Sequence, residues 1–451
     1  MPVQSDALTN LSHLLPDTAT FSSDGVFHIA GKSVPELIQH YGYNTPLYIF
    51  DRTTIINACQ RYQQAFRKYY HPSPVQILYA SKAYLSPLVA GLVTGQGLGL
   101  DVVSGGELTL ALRAHVPMER ISFHGNNKSI DELRMALKSG VGRIVLDNWS
   151  ELERLTLLAG EGGYHPQVLV RVAPDVDTDT HRYLQTGHAA SKFGFPLANG
   201  EARAAMLRIL QEGQLRLAGL HAHSGTMLRE TRPYVECLRR LMALARDVYV
   251  ETQWWPREIS PGGGWAIDEP GQPPVPGIEV LAQALQATME QELALRQDAL
   301  PAPTLIIEPG RSIIGRAGVA VYRIGARKPT PGGVTYLFVD GGMADNIRPA
   351  LYGARYTAFP VERAFAPAGE AVCISGRYCE SGDMLIDQVM LPYMRENELL
   401  ALPGVGAYCL PMSSNYNLVP RPIVLLVDEH TVQVMERQET YDDILSRYQQ
   451  V

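Results

Sequence analysis

Short apolar runs rich in β-branched residues recur from Gln76 to Glu308, separated by stretches whose apolar positions fall at helical spacing. The pattern predicts strands at Gln76–Ala80, Gly99–Val103, Ile121–His124, Arg143–Leu146, Gln167–Val172, Ala218–Ala222, Arg257–Ser260 and Thr304–Ile307. Eight alternating units of this length fit a (β/α)8 barrel, whose catalytic groups come from the C-terminal ends of its strands. A doubly wound open sheet gives the same alternation, so periodicity alone leaves both open. The strand ends favour the barrel. In order they offer Lys82, Asp101 with Ser104, His124 with Asn126, Asp147, Arg171, His223, the Gly262-Gly-Gly264 run, and Glu308 with Arg311.

Beyond Arg311 the rhythm changes to strand-like runs at Gly318–Ile324, Val334–Asp340, Glu370–Ser375, Asp387–Leu391 and Ile423–Val427, separated by Gly and Pro turns. This predicts an all-β domain, a β-sandwich or β-barrel. Val26–Ile29, a short strand before Pro46-Leu-Tyr-Ile-Phe50, is expected to join it, which makes that domain discontinuous. The expected organisation is residues 1–45 with the β domain, 46–310 as an α/β, TIM-like barrel that binds the cofactor, and 311–451 as the rest of the β domain. Pro270–Pro276 reads as a surface loop, and no low-complexity tract or solenoid repeat is visible.

A chain of 451 residues with 46% apolar content has room for two domains with substantial cores. The net charge of −7, without any cluster of Lys or Arg, argues against a nucleic-acid surface, so the expected partner is a small molecule. Met1 to Phe21 shows no basic region followed by an apolar core, and no run of about 18 apolar residues occurs, so a cytoplasmic location without membrane attachment is expected. Cys59, Cys237, Cys373, Cys379 and Cys409 are scattered without a Cys-x-x-Cys pair, which predicts free thiols. No His or Cys pair has ligand spacing, so no metal site is expected.

Lys82 alone reads most simply as a solvated charge, Glu308 as an ion-pair partner of Arg311, His223 as a structural histidine and the triple glycine as a tight turn. Their joint occurrence at the ends of four strands changes the reading. A lysine can hold an aldehyde cofactor covalently, and a histidine can lie flat on its ring. Glycine N–H groups can cradle a single phosphate, and a carboxylate can keep a pyridine nitrogen protonated. No Gly-x-x-x-x-Gly-Lys run is present, so a nucleoside triphosphate is not the expected ligand.

The residues that carry a family likeness are Tyr79-Ala-Ser-Lys-Ala83, Asp101-Val-Val-Ser-Gly-Gly-Glu-Leu108, His124-Gly-Asn-Asn-Lys-Ser129, Ser191-Lys-Phe-Gly194, His221-Ala-His-Ser-Gly225, Gly262-Gly-Gly264 and Glu308-Pro-Gly-Arg311. Arg348-Pro-Ala-Leu-Tyr352, Cys379-Glu-Ser-Gly-Asp383, Gly406-Ala-Tyr408 and Met412-Ser-Ser-Asn-Tyr-Asn417 continue the series in order. From about Tyr48 to Pro422 the chain resembles the fold-type III pyridoxal phosphate decarboxylases, most closely their diaminopimelate-cleaving branch.

The resemblance implies pyridoxal 5'-phosphate as cofactor and conversion of meso-2,6-diaminopimelate to L-lysine and carbon dioxide, the last step of lysine biosynthesis. It implies that Lys82 carries the cofactor, His223 stacks on its ring, Gly263 and Gly264 hold the phosphate, and Glu308 meets the pyridine nitrogen, with Pro309, Gly310 and Arg311 lining the same site. Tyr408 is expected to contact cofactor and substrate. Arg311, Arg348 and Tyr352 grip the substrate's distal carboxylate, Glu380 reads its distal ammonium group, and Cys379 supplies the proton after carbon dioxide leaves. The Cys379-Glu380 loop further implies a homodimer with shared active sites.

Three positions depart from the family's usual pattern. Ser-Gly-Thr follows His223, leaving Thr226 to supply a phosphate-binding hydroxyl. Tyr84 replaces a more usual Asn, and Arg355-Tyr356 stands where a Tyr-His pair is commoner. The competing readings are a decarboxylase of the same fold acting on carboxynorspermidine, ornithine, lysine or arginine, an alanine racemase, and a non-catalytic decarboxylase-like regulator. Paired arginines suit a second carboxylate, which ornithine and arginine lack. The racemase has no use for the Cys379-Glu380 loop, and a regulator has no need of Lys82, Cys379 or the glycines.

Overall fold

The computed structural model describes residues 11–176, 191–295 and 300–449, which fall into two compact units. One comprises Ala58–Ala266 and Val275–Ser312; the other comprises Met1–Asn57, Ile267–Pro274 and Ile313–Val451.

The first unit is a closed parallel barrel. Its strands are Val75–Ala80, Gly99–Val102, Ile121–Phe123, Arg143–Leu146, Gln167–Ala173, Arg216–His221, Glu258–Gly262 and Thr304–Ile307. Each pairs in parallel with the next, and the eighth returns to the first through Leu305–Val75 and Ile307–Ile77. That closure excludes the open sheet. The strands read as apolar runs because both faces are covered, Val168, Leu169 and Val170 all being buried. Leu78, Val145, Leu169, Ala218 and Ile306 pack together as one core cluster.

Several polar strand-end residues serve the turn into the next helix. Ser104 accepts from the N–H of Glu107, Ser129 forms a capping box with Glu132, and Asn148 accepts from the N–H of Glu151. Ser104 therefore has a structural role at a position that the sequence reading counts among candidate site groups.

The second unit is built on a mixed sheet. Its central strand Gly318–Pro329 pairs with Leu47–Asp51 and Leu399–Pro403 along its first half and with Thr335–Val339 along its second. Leu47–Asp51 continues to Ile423–Val427 and then Val432–Glu436, while Thr335–Val339 continues to Glu370–Ser375 and Met384–Leu391. Hydrogen bonding thus places Leu47–Asp51 in this sheet and not at the head of the barrel, which moves the expected boundary at residue 46 to the Asn57–Ala58 junction. Pro270–Pro276, read as a surface loop, falls within the 46–310 span expected for the barrel domain, but Ile267–Pro274 belongs to the second unit. Phe27–Ile29 forms a separate small sheet with Thr20–Phe21 and Lys32–Ser33. It joins the unit through packing: Phe27 and Ile29 share a core cluster with Ile49, Val319, Phe359 and Leu425. Among the described residues no helix is long and apolar enough to cross a membrane.

Candidate active site

The C-terminal ends of the barrel strands carry a dense set of ionisable groups. Lys82 sits in the single turn Ser81–Ala83 that follows the first strand, and it is exposed where its neighbours Ser81 and Ala83 are buried. The loop after the eighth strand is tied to this turn, Ala80 donating its N–H to the carbonyl of Pro309 at 3.0 Å. The ammonium of Lys82 acts electrostatically on Asp101, Glu107, His124, His223 and Glu308, so five groups from the second, third, sixth and eighth strand ends share one cation.

Glu308 is the best-anchored of these. Its carboxylate lies 2.9 Å from His221 Nε2 and accepts from Ser260 Oγ at 3.1 Å. Burial alone would raise its pKa, but His221, Lys82 and Ser260 outweigh that and hold it below the usual carboxylate range. Asp101 goes the other way: burial pushes it up to about 7, against the pull of Lys82. Burial, reinforced by His221, Arg171 and Lys82, drives the His124 imidazole well below its ordinary value; burial with Lys82, Arg171 and His221 does the same to His223. His223 is thereby a neutral ring near neutral pH. Arg171 lies 3.6 Å from Asp147 and over the ring of Phe193, and its charge contributes to the whole cluster.

The glycine run behaves as a cradle. A Cβ on Gly263 would stand 1.8 Å from the Glu308 carbonyl, and one on Gly264, where φ is +107°, would stand 2.1 Å from the Gly225 carbonyl. Only glycine lets the loops after the sixth, seventh and eighth strands approach this closely. Gly263 donates its N–H to His223 Nδ1 at 3.3 Å, fixing the imidazole beside the cradle, and Thr226 lies on the adjoining loop.

Two buried polar atoms in this cluster, His124 Nε2 and Asp101 Oδ1, stand 3.6 Å apart, with Glu308 also 3.6 Å from the imidazole, and neither is within hydrogen-bond distance of a partner among the described residues. Such atoms call for a polar ligand. With the cradle, the ionised Glu308 and the neutral His223, they fit a phosphorylated pyridine aldehyde. The fold also brings ligand atoms of His124, His221 and Glu308 within 4.8 Å of one another, a set invisible as sequence spacing because it spans three strands. Lys82 and Arg171 bear on the same cluster, and that positive field suits a carboxylate partnered by imidazoles better than a divalent cation.

The remaining candidates lie in the second unit. Arg348 begins the short helix Arg348–Tyr352, is buried, and donates Nη1 to the hydroxyl of Tyr356 at 2.7 Å. Tyr408 takes φ +64°, a conformation that costs a non-glycine residue about 1–2 kcal/mol and marks a constrained position. Cys379 and Glu380 are exposed on one turn. The turn is clamped: the N–H of Cys379 donates to Asn417 Oδ1 at 3.0 Å, and buried Asp383 accepts from Tyr378 N and Met343 N at 2.8 and 2.7 Å. The Met412–Asn417 and Cys379–Asp383 motifs, far apart in sequence, are therefore one local structure. Arg311 opens the short helix Arg311–Ile314 after Glu308-Pro-Gly and is buried with the barrel unit.

Sequence reasoning missed His221 and Ser260 as the partners of Glu308. The signal available was the His-x-His spacing in His221-Ala-His223, which puts both rings on the same side of an extended chain.

Residues 52–315 match the family described as pyridoxal-dependent decarboxylase, pyridoxal binding domain. A diaminopimelate decarboxylase of Bacillus subtilis (strain 168) is 39% identical over 436 residues, covering 96% of this chain and 97% of the relative. One from Synechocystis sp. is 38% identical over 450 residues, covering 96% and 92%. Among solved structures, diaminopimelate decarboxylase from M. jannaschii in co-complex with L-lysine superposes with a TM-score of 0.88 at 30% identity, covering 96% of this chain and 97% of the other.

Proposed function

The chain belongs to the pyridoxal-dependent decarboxylase family, and from that membership we infer that it decarboxylates meso-2,6-diaminopimelate to L-lysine, the last step of lysine biosynthesis, with pyridoxal 5'-phosphate as cofactor. The observation that carries the reading is the convergence of a lysine, an ionised carboxylate and a glycine-only cradle at the mouth of one barrel. The Bacillus subtilis and Synechocystis relatives, matched over 97% and 92% of their own lengths, are diaminopimelate decarboxylases.

Lys82 is the residue to hold the cofactor, Gly263, Gly264 and Thr226 its phosphate, His223 its ring face and Glu308 its ring nitrogen, with Pro309, Gly310 and Arg311 beside it. When bound, the cofactor supplies the electron sink that accepts the bonding pair as carbon dioxide leaves. Glu308, kept ionised by His221 and Ser260, is suited to hold a proton on the ring nitrogen. His223, neutral, offers an uncharged face that does not compete for that proton.

On the second unit, Arg348 and Tyr352 are the residues we assign to the distal carboxylate together with Arg311, Glu380 to the distal ammonium, and Tyr408 to both cofactor and substrate. A guanidinium matches a carboxylate with two parallel hydrogen bonds, which selects a substrate with a second carboxylate over a simple diamine acid. Cys379 is the proton donor in this scheme, and the exposure of the Cys379-Glu380 turn supports a homodimer in which the turn serves a neighbouring copy.

The test is carbon dioxide release by the cofactor-loaded protein from meso-diaminopimelate, lysine, ornithine, arginine and carboxynorspermidine, with Lys82→Ala as the blank. Release from diaminopimelate alone, with lysine as product and none from the blank, is expected. Release from another member of the panel would overturn the substrate assignment, and turnover by Lys82→Ala would overturn the role of Lys82.

A further inference from the structure

We propose that Tyr356 is a positioning residue for the substrate's distal carboxylate, acting through Arg348. The proposal rests on the assignment of Arg348 to that carboxylate. Arg348 is 6% exposed, and among the described residues its guanidinium makes one hydrogen bond, from Nη1 to Tyr356 Oη. The side-on fork of Nε and Nη2 has no hydrogen-bond partner among them, and Nε is a buried orphan. A buried Nε without a partner, beside an Nη2 that makes no hydrogen bond among the described residues, calls for an acceptor from outside the chain, and a carboxylate is the acceptor whose two oxygens match that edge.

The direction of the hydrogen bonds follows from the donor inventory. A guanidinium has no acceptor, so Tyr356 oxygen must accept from Arg348, leaving its own O–H for Cys409 Sγ at 3.5 Å. Cys409 in turn directs its thiol to the carbonyl of Ala407 at 3.7 Å. The relay runs Arg348 to Tyr356 to Cys409 to Ala407, and every side chain in it is buried. Two consequences follow. Pinning Nη1 fixes the rotation of the guanidinium, so the Nε and Nη2 edge is presented in one orientation before substrate arrives. The relay also ties Arg348 to the segment that carries Tyr408 in its constrained backbone conformation. The distal-carboxylate grip and the tyrosine assigned to the cofactor are thereby held as one preorganised piece.

The experiment compares holoenzyme binding of L-lysine, which retains the distal carboxylate, with 1,5-diaminopentane, the same diamine without it. For Tyr356→Phe, we expect lysine affinity and the KM for diaminopimelate to weaken about ten-fold, the scale of one lost hydrogen bond to a charged group, with kcat within about two-fold and diaminopentane unchanged. Equal weakening of both ligands, or no change in either, overturns the proposal. Arg348→Ala separates the two levels. If it leaves the lysine-to-diaminopentane ratio unchanged, the assignment of Arg348 itself has failed. If it collapses the ratio while Tyr356→Phe does not, only the role of Tyr356 has failed. Should Tyr356→Phe not fold, Tyr356→His carries the test on the pH axis. A neutral imidazole can accept from Arg348 and a protonated one repels it, so the ratio should fall as pH drops through about 6.5. A pH-independent ratio overturns the proposal.

Discussion

His221 places its Nε2 2.9 Å from the carboxylate of Glu308, so the acid ending the eighth barrel strand is held by an imidazole from the sixth. Side-chain exposure is only 2% and 5% for the pair, so the contact works in a low-dielectric setting where burial would otherwise keep the carboxyl protonated. Replacing His221 with Phe removes the main influence holding Glu308 ionised. A charge-assisted hydrogen bond is worth about 1.5–3 kcal/mol, so kcat should fall about ten- to a hundred-fold. Steady-state decarboxylation with the cofactor's absorbance as a loading control measures this, and an unchanged kcat would remove His221 from the site's electrostatics.

Cys379→Ala should slow turnover by about 10²–10⁴-fold, the range of a lost general acid, while leaving cofactor binding intact. Cys379 is exposed and its turn is held through backbone contacts to Asn417, so the substitution should not disturb the turn. Loss of bound cofactor in this variant would mean that the thiol has another task.

Asp101 gives a pH signature. Its folded pKa of about 7 stands above the ordinary carboxyl value of 3.8, so over that range the native state retains a proton that the unfolded chain has already released. Stability contributed by this group is present below the unfolded value and is lost as pH rises toward 7. The unfolding free energy of the cofactor-free protein relative to Asp101→Asn should therefore decline between about pH 4 and pH 7. Chemical denaturation at several pH values reads the difference, and a flat or rising difference contradicts the assignment.

Lys128 and Glu151 form a buried pair at 2.6 Å, and Lys128 also donates to the carbonyls of Gly125 and Val145. The pair ties the loop after the third strand to the first turn of the helix Trp149–Gly162 that follows the fourth. Lys128→Met strands the Glu151 carboxylate and should cost about 3–5 kcal/mol, whereas Lys128→Met with Glu151→Leu should cost clearly less than the sum of the single changes. Denaturation midpoints of the four proteins test this; strict additivity would show that the two charges do not depend on each other.

The barrel was legible because each of its strands is a short apolar run covered on both faces, and predicted limits such as Arg143–Leu146 and Thr304–Ile307 coincide with those found. The second unit was harder. Leu399–Pro403 is buried along its whole length but ends in proline and shows no alternation, and Val432–Glu436 is a half-exposed edge of mixed polarity, so neither stood out. Strand order there depends on pairings such as Leu47–Asp51 with Ile423–Val427 that no local pattern encodes. At the site, residue types announced Lys82, Glu308 and the glycines. The partners that hold Glu308, His221 and Ser260, act across strands and became visible only with the barrel closed.

The placement of Leu47–Asp51 has a consequence during synthesis on the ribosome. Apart from the closing pair, each barrel strand finds its partner in the next strand along the chain. Leu47–Asp51 must wait for Gly318–Pro329 on one side and for Ile423–Val427 on the other. This ribbon of five buried residues therefore emerges before every barrel strand and is paired only after the last of them. A nascent chain halted after the barrel would carry it with both edges open, ready to pair with any other unfinished strand, so premature termination should yield aggregates even where the barrel itself has formed.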